Sequence, residues 1–252
     1  VEPVVKYGPV VRWRESAIEV ETDQVVTERP LTVVVAGRPV MTLMCSPGLE
    51  RELAVGFCLT QGIAPPGAKL TAGPFQGDRV EVVCDPAPSV EALAVPGFKS
   101  ASGVAYPDPD DESLAVHARR VGRASVRVEL ATLAEMTGHM SRRQSHFAAT
   151  GGTHAAALAE PDGRLVVTAE DVGRHNALDK AVGAALLGGL DLAGRVLVLS
   201  GRTSVEMMLK AGRAGVACVV SVSAPTRLAL EMARRLGLTY AGFARPGGVN
   251  VY

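Results

Sequence analysis

Aromatic side chains are scarce in this 252-residue chain, 4% of residues with a single Trp, so its core has to be aliphatic and alanine-rich. Net charge is missing as well: 26 Lys and Arg balance 26 Asp and Glu, which argues against a nonspecific nucleic-acid or membrane-surface binder while leaving local basic pockets open. No apolar run approaches the ~20 residues that cross a bilayer. The start, Val1 to Ser16, is broken by Lys6, Arg12, Arg14 and Glu15 and has no signal-peptide apolar region, so a cytoplasmic location is expected. Cysteines number four, Cys45, Cys58, Cys84 and Cys218, and none falls in a C-x-x-C pair. That spacing excludes a zinc ribbon and argues against a disulfide framework. The patterns H-x-x-x-H, G-x-x-x-x-G-K-[ST], G-x-S-x-G and G-x-G-x-x-G are also absent, so no metal site is expected and a self-contained hydrolase has little support.

What is present is an ordinary globular composition, 47% hydrophobic and 21% charged. Two apolar runs, 31–36 and 39–44, flank Gly37-Arg38 and read as a hairpin. Ser46-Pro47 then predicts a helix start, with Ser46 as N-cap and Leu49, Leu53 and Phe57 on one face. Cys45 precedes that start, where a helix dipole would lower a thiol pKa; the competing reading is a packed structural thiol. The prolines and acidic run of 86–122 mark a loop and a boundary. We therefore expect a β-containing portion over 1–122 and an α/β domain over 123–252. Thr132-Leu-Ala-Glu135 has capping-box spacing and predicts a helix running towards Phe147. Beyond it, strands at 154–158, 165–168, 196–200, 216–222 and 239–244 alternate with helical patterns, which implies a mainly parallel sheet covered on both faces.

In such a sheet, loops leaving the strands' carboxyl ends meet helix N-termini. Three are dense in polar groups: Glu170-Asp-Val-Gly-Arg-His-Asn176, Ser200-Gly-Arg-Thr-Ser204 and Ser223-Ala-Pro-Thr226. Unpaired N–H groups and the helix dipole favour anions there, and Arg174 and Arg202 add charge-assisted donors. The candidate phosphate or nucleotide site is thus Asp171, Arg174, His175, Asn176, Gly201, Arg202, Thr203, Ser204, Ser223 and Thr226. A fourth polar turn, Thr150-Gly-Gly-Thr-His154, adds Gly151, Gly152 and His154, the last a general acid/base, a phosphate donor or a structural histidine. The plainer alternative is that these residues cap helices, that Arg174 pairs with Glu170 or Asp171, and that Asp179 sits on a solvated helix face.

These stretches resemble the FdhD/NarQ family, accessory sulfur carriers required for formate dehydrogenase activity. The resemblance runs through Glu28-Arg-Pro-Leu31, Ser46-Pro-Gly48, Glu52-Leu-Ala-Val-Gly-Phe57, Thr150-Gly-Gly-Thr-His-Ala-Ala156, Glu170 to Lys180, Ser200 to Ser204, Ser223 to Thr226 and Asn250-Val-Tyr252. It implies a cytidine-deaminase-like three-layer α/β domain with a smaller β-containing portion, assembled as a homodimer. It also implies sulfur taken from a cysteine desulfurase and passed to the molybdenum bis(molybdopterin guanine dinucleotide) cofactor of a formate-dehydrogenase-like client. The family's cofactor-binding segment falls on Phe243, Ala244, Arg245, Pro246, Gly247 and Gly248. Deamination is not implied, because His154-Ala-Ala156 lacks the deaminase glutamate.

One departure bears on activity. The family's sulfur-carrying loop reads Cys-Gly-x-Cys-Gly, and here Ser102 and Ala105 stand at the two cysteine positions and Tyr106 at the glycine. A serine hydroxyl cannot carry transferable sulfur. The expectation is a cofactor-binding maturation factor without sulfur transfer. Its alternatives are transfer through Cys45 as a substitute thiol, and a non-catalytic nucleotide-binding or regulatory protein.

Overall fold

A computed structural model of the chain describes residues 2–93, 98–99, 105–106, 111–123 and 126–252. The chain opens with a long ribbon, β1 (Val4–Arg14) paired antiparallel with β2 (Ala17–Val26). Then come β3 (Arg29–Val35), β4 (Arg38–Cys45), α1 (Glu50–Thr60), β5 (Lys69–Ala72) and β6 (Arg79–Asp85). These strands form a mixed sheet in the order β4-β3-β6-β5. Residues of β6 alternate buried and exposed, as the period-2 pattern of 79–83 requires of a half-buried strand. A short α2 (Val90–Leu93), the pair β7 (Phe98–Lys99) and β8 (Ala105–Tyr106), and α3 (Asp111–Arg123) follow. Leu114 and Val121 of α3 join the core that also holds Met208 and Leu236, placing this helix against the C-terminal half.

The C-terminal half runs α4 (Leu130–Ser141), α5 (Ser145–Thr150), β9 (His154–Ala159), β10 (Leu165–Asp171), α6 (Arg174–Leu187), β11 (Val196–Leu199), α7 (Val205–Ala214), β12 (Cys218–Ser221), α8 (Arg227–Leu236), β13 (Thr239–Arg245) and β14 (Gly248–Val251). Its six strands lie in the order β10-β9-β11-β12-β13-β14. One face packs on α4 through Met136 and Met140 against Ala157, Val198 and Val220. The other packs on α6, α7 and α8 through Ala156, Leu158, Leu197, Val219 and Tyr240. Strands β11 and β12 are buried at every residue, which explains their unbroken apolar sequence.

Several expectations need correction. The sheet is mixed, not mainly parallel: β11, β12 and β13 run parallel, but β9 and β10 form an antiparallel hairpin beside β11, and β14 returns antiparallel on β13. Short turns at 160–164 and at Pro246-Gly247 permit no crossover, so both pairs have to be antiparallel. Ser46 does not cap α1, which begins at Glu50 after Leu49; Thr132 lies inside α4, whose N-cap is Glu129. The helix predicted towards Phe147 breaks into α4 and α5. The α1 and α6 backbones touch: a Cβ on Gly56 would lie 1.9 Å from Asp179 O, and one on Gly183 1.8 Å from Glu52 O. This glycine contact permits the close crossing that joins the two halves of the chain.

Candidate functional site

The carboxyl ends of β10, β11, β12 and β13 and the start of β9 meet at one sheet edge, beside the N-termini of α6, α7 and α8. Asp171 pairs with His154 in register, and Leu199 with Ala156, so β9 brings the Thr150–His154 turn to the loop after β11. The loops then stitch to each other. Thr203 N–H donates to Ala224 O and Thr226 N–H to Thr203 O, while Ser221 Oγ–H donates to Gly201 O. Thr226 Oγ1 caps α8 by accepting from Ala229 N–H. Thr203 and Thr226 therefore hold the loops in place, and Ser223, whose carbonyl accepts from Tyr240 and from Phe243 N–H, anchors the last strand.

Around His154 the edge is basic. Gly201 sits against its ring, where a Cβ would meet Nδ1 at 3.2 Å, and the Arg174 side chain passes the same point. Burial first, then the Arg174 and Arg202 charges, lower the His154 pKa and so favour its neutral ring. Neither acid expected to pair with Arg174 is free to do so. Glu170 accepts from the backbone N–H groups of His146 and Phe147 and from Thr153 Oγ1, fixing the first turn of α5. Asp171 is fully buried on Lys180 at 2.8 Å. Arg174 Nε, Thr203 Oγ1 and Ser204 Oγ are buried without hydrogen-bond partners. Ser204 is the N-cap of α7 but makes no side-chain cap bond.

Three sequence candidates face inwards. Asp171 also accepts from Ser46 N–H, Gly173 N–H and Asn176 Nδ2, and Asn176 reaches across to Met44 O. Ser46 Oγ accepts in turn from Val172 N–H, and Lys180 donates to Ser46 O. Asp171 and Asn176 thus fasten the first half of the chain to α6 and are not open to a ligand. His175 is 7% exposed, and burial, with Lys210, Arg174 and His154 nearby, pushes its pKa down to about 3. Asp179 is not on a solvated face either. It is buried with Lys210 at 2.6 Å, and both bond Thr60 Oγ1.

The edge opens into a cavity of about 360 Å³ bounded by Gly151, Gly152, Thr153, His154, Val172, Ser200 and Val222, and closed by Ser141, Gln144 and Phe147 from α4 and α5. Sequence reasoning missed those last three although they directly precede the Thr150–His154 turn, because they lie where a helix was expected and outside its run of glycines and hydroxyls. Phe243 to Gly248 span the end of β13, the Pro246-Gly247 turn and the start of β14, beside a separate hollow of about 260 Å³. Phe243 has φ 54°, a left-handed conformation rare for a bulky side chain and costing ~1–3 kcal/mol, which marks this turn as held by its surroundings. Arg245 and Gly248 line the hollow, and Gly247 takes φ +86° at the turn after Pro246. Ala244 points into the core and its carbonyl is taken by Thr137, so it offers a ligand nothing.

Ser102 lies outside the described residues, and Ala105 is described only as backbone of β8. All four cysteines are buried and unbridged. Burial, reinforced by Asp171, pushes Cys45 up to about 12, and burial pushes Cys218 to about 11 and raises Cys58 and Cys84. The thiolate that a helix start would favour at Cys45 is therefore not formed.

With this geometry in view, comparison with known proteins is decisive. The FdhD/NarQ family profile matches residues 26–252. The chain is a member of the FdhD/NarQ family. It is 34% identical to a protein of Geobacillus kaustophilus named sulfur carrier protein FdhD, over 98% of this chain and 94% of that one. A Streptomyces coelicolor protein of the same name is 36% identical over 99% of this chain and 94% of its own. A crystal structure from Desulfotalea psychrophila, described as a formate dehydrogenase accessory protein, superposes with TM-score 0.74 at 24% identity, covering 99% of this chain and 95% of that one. Among the described residues no helix is long and apolar enough to cross a membrane.

Proposed function

We propose that this FdhD/NarQ protein is a maturation factor for a formate-dehydrogenase-like molybdoenzyme that binds the molybdenum bis(molybdopterin guanine dinucleotide) cofactor, or a guanine nucleotide, at the sheet edge, and that it has lost sulfur transfer. The observation that carries the binding half is the set of unpaired donors at two helix N-termini: Arg174 Nε and Ser204 Oγ are buried without partners. Phosphate oxygens are the acceptors such donors lack, and helix N-termini favour their charge. The residues present therefore fit the group. When bound it supplies the molybdenum centre, while Arg174, Arg202 and Ser204 hold phosphate and the Phe243–Gly248 turn holds the remainder, as the family resemblance implies. Calorimetric titration with GDP tests this. Wild-type protein is expected to bind, and Arg174→Gln or Arg202→Gln to weaken binding about tenfold or more, the worth of a hydrogen bond to a charged group. Folded protein that gives no heat at millimolar GDP would sink the reading.

Loss of sulfur transfer rests on Ser102 and Ala105 at the two carrier positions and on the burial of every cysteine. Incubation with a cysteine desulfurase and sulfur-labelled cysteine should leave no reductant-releasable label on the protein. Label on Cys45 would reverse the conclusion.

The ribbon supports a homodimer. Its ion pairs, Arg12 with Glu21 and Asp23, and Arg14 with Glu19, are internal, whereas Val11, Trp13, Ile18 and Val20 form one exposed apolar face through the pairs Trp13–Ile18 and Val11–Val20. A two-stranded ribbon is marginal alone, and the same face on a second copy covers it. Sedimentation should give a dimer for the wild type and a monomer for Val11→Lys/Trp13→Lys; a variant that stays dimeric rules out the ribbon. We also read the strand order β10-β9-β11-β12-β13, with helices on both faces, as the deaminase-like arrangement implied by the family.

A further inference from the structure

The β9–β10 hairpin has two ends. One carries His154 and Asp171 at the sheet edge; the other, the turn at 160–164, lies about 17 Å away at the rise of an extended strand. There α4 and the turn enclose an open hollow of about 460 Å³, whose lining includes His139, Arg142, Arg143, Asp162, Arg164 and Leu165. None of these residues belongs to the candidate site at the sheet edge, and none lies in the stretches that resemble the FdhD/NarQ motifs.

Three arginines line this hollow against a single carboxylate, in a chain whose charges balance overall. The carboxylates in reach are already engaged. Asp162 Oδ1 accepts from the Arg164 backbone N–H at 2.9 Å, closing its own turn. Glu160 holds Arg195 at 2.9 Å and meets Arg164 only at 3.7 Å, through the same oxygen. The Arg142 side chain has no hydrogen bond or ion pair among the described residues, and Arg143 reaches only the Leu165 carbonyl, at 3.4 Å. The C-terminal end of α4, at Ser141, favours basic side chains nearby, but it does not account for Arg164, which the turn brings in. The backbone beneath is fixed. His139 Nδ1 bonds Gly163 O at 3.2 Å, and a Cβ on Gly163 would meet Thr132 Cγ2 at 3.0 Å. Because Arg143 takes the first carbonyl of β10, an edge strand of the sheet, an incoming chain meets side-chain charge there and not a free strand edge.

Guanidinium forks pair with carboxylates in bidentate fashion. A nucleic acid fits less well. The lining has no Phe, Tyr or Trp to stack a base, and three arginines are few beside the roughly six to ten phosphate contacts of a nucleic-acid binder. We propose that this hollow is a docking site for an acidic peptide segment of a partner protein, whose carboxylates pair with Arg142, Arg143 and Arg164. The site lies at the far end of the hairpin from His154, so a docked partner does not compete with the nucleotide proposed for the sheet edge.

The test is fluorescence anisotropy of labelled hexaglutamate with the full chain at low salt. The wild type is expected to bind it, and Arg142→Ala/Arg164→Ala to weaken binding about tenfold or more, the worth of hydrogen bonds between charged groups. Arg227→Ala/Arg234→Ala removes the same charge from the exposed face of α8 and should leave binding unchanged. All four arginines are exposed, so both variants should keep the wild-type thermal midpoint. No binding by the wild type, or equal loss in the two variants, overturns the site. Displacement of the peptide by GDP places it at the sheet edge and overturns the site as well. Inorganic phosphate that displaces hexaglutamate as readily as the unlabelled peptide does reveals an anion site without peptide recognition. A single-stranded oligonucleotide that binds tighter than the peptide through Arg142 and Arg164 reveals a nucleic-acid surface. Either result overturns the peptide site.

Discussion

Gly183→Ala is expected to destabilise the protein by about 3 kcal/mol or more, at the upper end of overpacking costs, and Gly56→Ala by a similar amount. A methyl group on Gly183 would sit 1.8 Å from Glu52 O, and one on Gly56 1.9 Å from Asp179 O, against backbone atoms that cannot rotate away. Relief requires α1 and α6 to separate. That movement strains the bonds from Ser46 N–H to Asp171 and from Thr60 to Asp179, at 3.0 and 2.6 Å, which cross the same junction. Urea unfolding followed by circular dichroism measures the loss. Gly122→Ala provides the contrast, because a Cβ there meets nothing within 4 Å in a helix, and it should stabilise by about 0.5–1 kcal/mol. If Gly183→Ala unfolds within 1 kcal/mol of the wild type, on the overpacking scale used here, the helix contact is looser than its geometry requires.

Lys210→Met should cost about 3–5 kcal/mol, because it strands the Asp179 carboxylate in the interior. Both members of the pair are 1% exposed and 2.6 Å apart. Burial drives the Asp179 carboxyl upwards and the Lys210 ammonium downwards, against their mutual attraction, so each charge persists only through the other and Thr60. Asp179→Leu alone should cost a comparable amount. The double variant Asp179→Leu/Lys210→Met should recover most of the loss, since replacing a whole buried pair by apolar groups is often close to neutral. A double-mutant cycle by urea unfolding reads this directly. Additive losses in the double variant would mean that the two side chains do not depend on each other.

Much of the C-terminal half was legible because its signals are local. Apolar runs at 196–199 and 218–221 identify buried strands, Thr226 caps α8 as its position predicts, and the polar loops converge on one edge because adjacent strands share their ends. The ribbon was missed, although the alternation Val11-Arg12-Trp13-Arg14 and Ile18-Glu19-Val20-Glu21 has the period of a strand. Ser46 and Asp171 were misread for a different reason. Ser46-Pro47 has the local chemistry of a helix start, but the Ser46 hydroxyl is claimed by Val172 N–H, 126 residues away. Asp171 sits in a turn rich in ligand-type residues, yet Lys180 and Ser46 use it.

The sequence alone therefore determined the alternation of strands and helices, the FdhD/NarQ motifs, the basic and hydroxyl-bearing loops, and the presence of Ser102 and Ala105 where the resemblance implies cysteines. Each is carried by neighbouring residues or by their identity. Tertiary structure decided the mixed sheet, the glycine crossing of α1 and α6, and which polar residues are committed to the fold. It also decided that Cys45 is a buried, protonated thiol, and that Gln144 and Phe147 complete the cavity. The physical reason is common to all of these. Desolvation, hydrogen-bond partnership and steric contact depend on groups brought together from distant parts of the chain, and local sequence pattern holds no record of them.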